Sequence, residues 1–294
     1  MGALTGAKQR VFVYGSLRRG ERYHLLLAES KVEALQAWTK GELIDTGWGY
    51  PGLMEGEDRV YGELYRVDEK TLARLDHLEG YQSDAPVKPG GYRRVWRRIY
   101  TDRGPVKAYV YLFEMPETHP FRKVMYGDWK ARHLGQQKEW LYFAYGSCMD
   151  DERFHSQGVA EEFHDVLGRG VLRRHAMRYT LPYSDGGRAD IVEQRGRRVE
   201  GKVYRTSPRG LDYLFWREGV HSGVYRPAWV PVVIEGKMVE NVLTFIVIDK
   251  KKETAPPEHY AREILRGSEG VVSSAYHRRL RRRLKKKFGM VVEY

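Results

Sequence analysis

Cysteine is nearly absent from this chain: Cys148 stands alone among 294 residues. A single thiol closes no internal disulfide and cannot seed a sulfur-rich metal site, a pattern that fits a reducing compartment. Long apolar runs are missing as well. No stretch approaches the roughly 20 apolar residues that a membrane span requires, and the opening MGALTGAKQR has no signal-peptide core, so a cytoplasmic protein is expected. His155, His164, His175 and His221 show neither HExxH nor zinc-finger spacing, and no metal is expected. There is no P-loop and no GxGxxG fingerprint, so nucleotide chemistry has no support and no cofactor is expected.

What remains is the composition of a folded protein, with 41% hydrophobic residues, 13% aromatics and 21 tyrosines. A chain of 294 residues exceeds the usual span of one hydrophobic core, and two domains are expected. The formal charge of +12 raises the question of nucleic acid, so its location matters. Residues 1–137 hold 22 basic and 18 acidic side chains and the remainder 29 and 21. Eight of those basic residues lie between Arg278 and Lys287, with no acid among them. The excess is largely one terminal helix.

Self-similarity organises the rest. Val11-Phe12-Val13-Tyr14-Gly15-Ser16-Leu17 recurs as Leu141-Tyr142-Phe143-Ala144-Tyr145-Gly146-Ser147-Cys148, each an apolar strand closing on Tyr-Gly-Ser. VYGELYRVDEKTLARLDHLEGY at 60–81 matches VEGKVYRTSPRGLDYLFWREGV at 199–220 without a gap. Both copies predict a strand and a short helix, capped by Asp68 or Ser207, with Pro208 at the first helical position and a stop at Gly80 or Gly219. A hairpin follows in each half, from YRRVWRRIY and PVKAYVYLF, then from YRPAWVPVVI and MVENVLTFIVI. Strand, turn, mixed middle, helix and hairpin, twice over, predict an α+β fold: two tandem domains, 1–134 and 139–294, each a curved, mostly antiparallel sheet or small barrel with flanking short helices. The linker is expected near residues 131–138. Pro256-Pro257 should start a further helix, and Ser268-Glu269 should open the one that runs into the basic tail.

Two features could carry chemistry. A glycine directly after a buried strand lets the backbone turn sharply and present successive N–H groups to a carboxylate or an oxyanion. Such a tripeptide is commonly an ordinary strand-ending turn, and its occurrence twice is what marks it. Glu79 and Glu218 end the helix in each copy, directly before glycine. A lone glutamate there reads as a solvated acid, but the negative end of the helix dipole disfavours it. Its presence in both copies makes it a candidate. Asp76 aligns with Phe215 and has no place in a shared chemistry.

These residues resemble a known family. FAYGS at 143–147, LDYLFWREGVHSGVY at 211–225 and TAPPEHYAREILRG at 254–267 are similar to gamma-glutamylcyclotransferase, while VFVYGSLRRG at 11–20 and LDHLEGY at 75–81 resemble the gamma-glutamylamine cyclotransferase and avirulence-induced-gene-like branch. The resemblance implies that Glu79 and Glu218 are the catalytic acid/base residues. It implies that Tyr14, Gly15, Ser16 and Leu17, and Tyr145, Gly146, Ser147 and Cys148, hold a γ-glutamyl group. It further places Tyr225 and Tyr260 in the substrate pocket, with Tyr92 answering to Tyr225 across the additional stretch SDAPVKPGG at 83–91. Cys148 departs from the asparagine usual in the family motif, which bears on substrate preference. It reads as a small packed residue, since nothing nearby in sequence would stabilise its thiolate.

The reaction so implied closes a lactam. The α-amine of a γ-glutamyl amide attacks its own γ-carbonyl, giving 5-oxoproline and a free amine, with glutamate moving the proton and no cofactor required. A free glutamate, with a pKa of about 4.3, donates poorly at neutral pH, so a partly desolvated site is expected. Glutathione-like dipeptides, γ-glutamylamines and γ-glutamyl-protected intermediates all remain open as substrates. The alternative is a module that binds such a ligand without turnover, with the tail Arg278–Lys287 contacting RNA or another acidic partner. Tyr276, Leu280, Leu284 and Phe288 recur every four residues, however, so docking of this helix on its own domain is the favoured reading.

Overall fold

The computed structural model describes residues 8–116 and 120–294. The first seven residues, read above as lacking a signal-peptide core, lie outside the described residues. The chain divides between Gly135 and Gln136 into two compact units.

The first unit runs β1 (Gln9–Val13), β2 (Lys31–Asp45), β3 (Pro51–Val67), α1 (Glu69–Leu78), β4 (Tyr92–Thr101), β5 (Gly104–Phe113) and the short β6 (Arg122–Lys123). Its strands follow the order β3-β1-β5-β4-β2-β6, and a further β3–β2 pairing joins the ends of the first five. The second unit runs β7 (Trp140–Ala144), α2 (Glu152–Ser156), β8 (Val166–Tyr183), β9 (Gly186–Thr206), α3 (Pro208–Arg217), β10 (Tyr225–Ile234), β11 (Lys237–Val247), α4 (Glu258–Ser268) and α5 (Ser274–Phe288). It is a closed barrel in the order β10-β11-β7-β9-β8. The two rings have one topology. In each, the first strand pairs in parallel with the last hairpin strand, Val11 against Tyr109 and Tyr142 against Leu243, and the other pairings are antiparallel. The α+β expectation therefore holds, and the "mixed middle" of each half is the first arm of a long hairpin, β2 with β3 and β8 with β9.

Local chemistry explains the repeated elements. The Asp68 carboxylate accepts from the Thr71 amide at 2.8 Å, and the Ser207 hydroxyl from the Gly210 amide at 3.3 Å, each satisfying an otherwise unpaired N–H of a first helical turn. Both helices end with their glutamate at the cap and a glycine at φ 65° or 60°, a left-handed conformation that side chains resist. Alternation along β1 and β5 divides the first core in two. Phe12, Leu53, Ile99 and Val110 fill the ring, whereas Val11, Val13, Tyr65 and Leu75 pack between the sheet and α1.

Residues 129–135 form a 3-10 helix whose Trp129, Lys130 and Ala131 are buried, and the division of the chain after Gly135 falls inside the expected linker stretch. One expectation needs correction. Ser268 closes α4 instead of opening the tail helix. Gly270 turns the chain at φ 70°, and Ser273 caps α5 by accepting from the Tyr276 amide at 3.2 Å. The basic helix does dock. Tyr276, Leu280 and Leu284 are buried, Phe288 meets the Tyr179 ring edge-on, and Arg283 pairs with Glu253 at 2.5 Å. Among the described residues no helix is long and apolar enough to cross a membrane.

Candidate active site

Each Tyr-Gly-Ser turn follows the end of its first strand, where the parallel pairing leaves a hollow beside the last residue of the helix. In the first domain the Tyr14 hydroxyl donates to the Tyr111 carbonyl at 2.6 Å. In the second, Tyr145 donates to the Phe245 carbonyl, also at 2.6 Å. Buried tyrosines thus pin both loops to the same place on the last hairpin strand. Gly15 is needed for space, because a Cβ there would lie 2.5 Å from the Pro51 ring. The amides of Gly15, Ser16 and Leu17 have no protein acceptor among the described residues, as a ligand-holding loop requires.

The loops are braced by ion pairs of opposite polarity. Arg18, just past the first loop, is buried between Asp128 at 2.5 Å and Glu63 at 3.4 Å, and the Tyr65 hydroxyl donates to Glu63 at 2.7 Å. In the second domain Lys202 occupies the place of Glu63 and pairs with Asp151 at 2.5 Å, to which Tyr204 donates at 2.9 Å. The charges have exchanged sides while the tyrosine has stayed. Asp76, which has no counterpart, accepts from the Tyr111 hydroxyl at 2.8 Å and pairs with Arg94.

In the first domain the loop and Glu79 share a cavity of about 590 Å³. Tyr14, Gly15, Ser16, Leu17, Glu79 and Tyr92 all line it. Burial raises the Glu79 carboxyl to about 8, and among the described residues no side chain hydrogen-bonds or ion-pairs with it. Burial and then the Glu79 charge push the hydroxyls of Tyr14 and Tyr50 upward, and burial with the Tyr14 and Glu79 charges raises Tyr92, a sign that these three converge on this carboxyl, whereas Tyr111 is raised by burial and its bond to Asp76, with Glu79 a lesser cause. Sequence reasoning missed Tyr50, just before β3, Pro51, its first residue, and the extent to which residues 85–91 form a wall. The Tyr92 hydroxyl donates to the Pro51 carbonyl at 2.8 Å, as Tyr225 donates to the Ala189 carbonyl at 2.6 Å. Tyr92 therefore stands where Tyr225 stands, whatever the intervening length.

In the second domain Tyr145, Gly146, Ser147, Cys148, Glu218, Tyr225 and Tyr260 also come together, but around only about 30 Å³. Tyr260, from α4, accepts from the Ala189 amide at 3.1 Å, and burial pushes its hydroxyl up to about 12. The Cys148 thiol lies 3.7 Å from the Glu218 carboxylate and 3.1 Å from the Arg217 Nε. Sequence spacing did not show this arginine beside the sulfur. Burial nevertheless raises the thiol, with Arg217 opposing, and raises the Glu218 carboxyl against the same opposition. Among the described residues no cluster of His, Cys, Asp and Glu is arranged to hold a metal ion.

The twofold use of one ring, one loop and one helix-ending acid defines the class. Residues 11–131 match the family model "Gamma-glutamyl cyclotransferase, AIG2-like", and residues 198–280 match that of the "AIG2-like family". The Bacillus subtilis protein named "Putative gamma-glutamylcyclotransferase YkqA" is 40% identical over 278 residues, 93% of this chain and 96% of its own. The crystal structure of YkqA superposes with a TM-score of 0.84 over 95% of this chain and 98% of its own, at 38% identity. The chain is also 35% identical over 128 residues, 42% of its length, to 77% of the Niallia circulans "Gamma-L-glutamyl-butirosin B gamma-glutamyl cyclotransferase". The chain belongs to the gamma-glutamylcyclotransferase, AIG2-like family, with two such domains in tandem.

Proposed function

We propose that this protein is a cyclotransferase that converts a γ-glutamyl amide into 5-oxoproline and a free amine, with Glu79 as the proton-transferring group. The observation that carries the reading is an acid raised to about 8, lacking a side-chain partner, in the cavity that also holds the Tyr14–Leu17 loop. An ordinary glutamate would be almost wholly ionised at neutral pH, whereas this one can both take and give a proton there.

The steps follow from the substrate's geometry. The α-carboxylate and γ-carbonyl lie against the Gly15, Ser16 and Leu17 amides, and the α-ammonium faces Glu79. Glu79 takes a proton from the ammonium, the freed amine forms a bond to the γ-carbon, and the oxyanion is held by the loop amides. The amide C–N bond then breaks as Glu79 returns its proton to the departing nitrogen, and the ring nitrogen gives its second proton to the freed amine, which leaves as an ammonium. No water is consumed. Nucleophile and electrophile belong to one molecule, so folding the substrate replaces a bimolecular encounter, an advantage that reaches about 7–11 kcal/mol in favourable intramolecular reactions. Nothing in this sequence of steps calls for a metal or an organic cofactor.

The cavity is larger than a γ-glutamyl group requires and falls in the range of small-molecule sites, about 300–1,000 Å³. Tyr23, Tyr50 and the 85–91 segment offer a largely apolar surface for the leaving amine. The test is incubation with a panel of γ-glutamyl dipeptides and γ-glutamylamines, with detection of 5-oxoproline. Saturable binding without product across the panel would instead favour a ligand-binding module.

A further inference from the structure

The gap-free alignment of the two helices places Leu78 beside Glu79 and Arg217 beside Glu218. Leu78 has an apolar side chain and lines an open cavity of about 590 Å³. Arg217 instead engages the loop and the acid of its own site. Its Nη2 donates to the Ser147 hydroxyl at 2.9 Å, its Nε lies 3.1 Å from the Cys148 sulfur, and the same nitrogen is 3.8 Å from the Glu218 carboxylate. About 30 Å³ is left between Ser147, Cys148, Glu218, Tyr225 and Tyr260.

We infer that Arg217 is an internal ligand that keeps the second domain's site shut, so that turnover belongs to the first domain. This deepens the cyclotransferase reading and rests on it for the assignment of turnover, though not for the closure itself. Three observations converge. The guanidinium supplies the cation that Glu218 would otherwise accept from a substrate ammonium. It also occupies the Ser147 hydroxyl and the Cys148 sulfur, which belong to the loop that would hold the γ-glutamyl group. Lastly, the ten residues between Tyr81 and Tyr92, of which 85–91 wall the first site, are answered by only four between Val220 and Tyr225, while Tyr260 of α4 lines the second site.

Cys148, the chain's sole cysteine, reports directly on the closure, because it lines the shut site and is 4% exposed. Native protein treated with iodoacetamide should alkylate Cys148 at least about 100-fold more slowly than denatured chain, as expected of a group that reacts only on local opening. Saturating L-γ-glutamyl-L-alanine should leave that rate unchanged. Rapid alkylation that the dipeptide suppresses would overturn the inference. Arg217→Leu, which copies Leu78, should accelerate alkylation about tenfold or more while 5-oxoproline formation at the first site continues. Removing the arginine takes away a group that favours the thiolate, so intrinsic reactivity falls and a faster reaction can come only from access.

An unchanged rate in Arg217→Leu would show that the arginine is not what holds the site shut. Should this variant lose its circular dichroism signature, Arg217→Lys, with one donor in place of the fork, is expected to give an intermediate rate. Glu79→Gln should lower 5-oxoproline formation by the whole chain at least about 100-fold, and turnover above that level which a further Glu218→Gln removes would place an open site in the second domain. A wild type that makes no 5-oxoproline from any γ-glutamyl compound would defeat the cyclotransferase reading instead, with the closure still judged by alkylation.

Discussion

Arg18 reaches Asp128, 110 residues further along the chain, at 2.5 Å, and both side chains are buried. This contact fastens the residue just after the first Tyr-Gly-Ser loop to the last segment of its own domain. Breaking a buried ion pair from one side leaves the other charge uncompensated, at a cost of about 3–5 kcal/mol. Arg18→Met is therefore expected to destabilise the protein by that amount in urea denaturation. A loss below about 1 kcal/mol, the range of surface pairs, would mean that the bridge braces nothing.

The elevated acid has a consequence for activity. With Glu79 raised to about 8, the proton-accepting form grows as pH rises, so kcat/KM should climb through pH 7 and level off above about 8. A profile flat from pH 5.5 upward would indicate a carboxyl of ordinary acidity, incompatible with the desolvated site.

The same shift makes a stability prediction of opposite sense to the catalytic one. Between the ordinary glutamate value and about 8, the folded state holds the Glu79 proton that the unfolded state has released. Stability therefore falls as pH rises through that window, by at most about 1.4 kcal/mol per pH unit from this group. Glu79→Gln cannot ionise, so it should raise the melting temperature at pH 8–9 and have little effect near pH 4. A variant less stable than wild type at pH 9 would contradict the burial argument.

Docking of α5 is tested by its apolar stripe. Leu284 is 3% exposed, and Leu→Ala at such a position costs about 2–5 kcal/mol. Leu284→Ala should lose that much stability in denaturant titration, whereas Lys286→Ala, on the exposed face, should be neutral within about 0.5 kcal/mol. Equal small effects from both would return the helix to the pool of free basic surfaces.

Much of this construction was legible in the residues. Period-2 alternation showed the hairpins, Asp68 and Ser207 showed the helix starts, and the two Tyr-Gly-Ser strands with their glutamates showed which segments meet. These signals are local, or are repeated at matched places. The cavity wall from Tyr50, Pro51 and residues 85–91 was not legible, because no pattern tells how a loop folds back over a site. Arg217 stood in plain view as the mismatch to Leu78. Its direction depends on the Ser147 and Cys148 side chains, some 70 residues away, and spacing along one helix says nothing about them. Ser268 looked like a helix start because its side chain suits a cap, but Gly270 turns the chain first and Ser273 takes the role.

In the mechanism proposed above, an acid and a backbone loop, distant in sequence, cyclise a γ-glutamyl amide in the first domain. The most direct measurement is 5-oxoproline released from γ-glutamyl substrates by wild-type protein and by Glu79→Gln, each checked for intact secondary structure. Product is expected from the wild type, with a loss of at least about 100-fold in the variant, the size of a general acid/base contribution. Undiminished release by folded Glu79→Gln protein would contradict that mechanism.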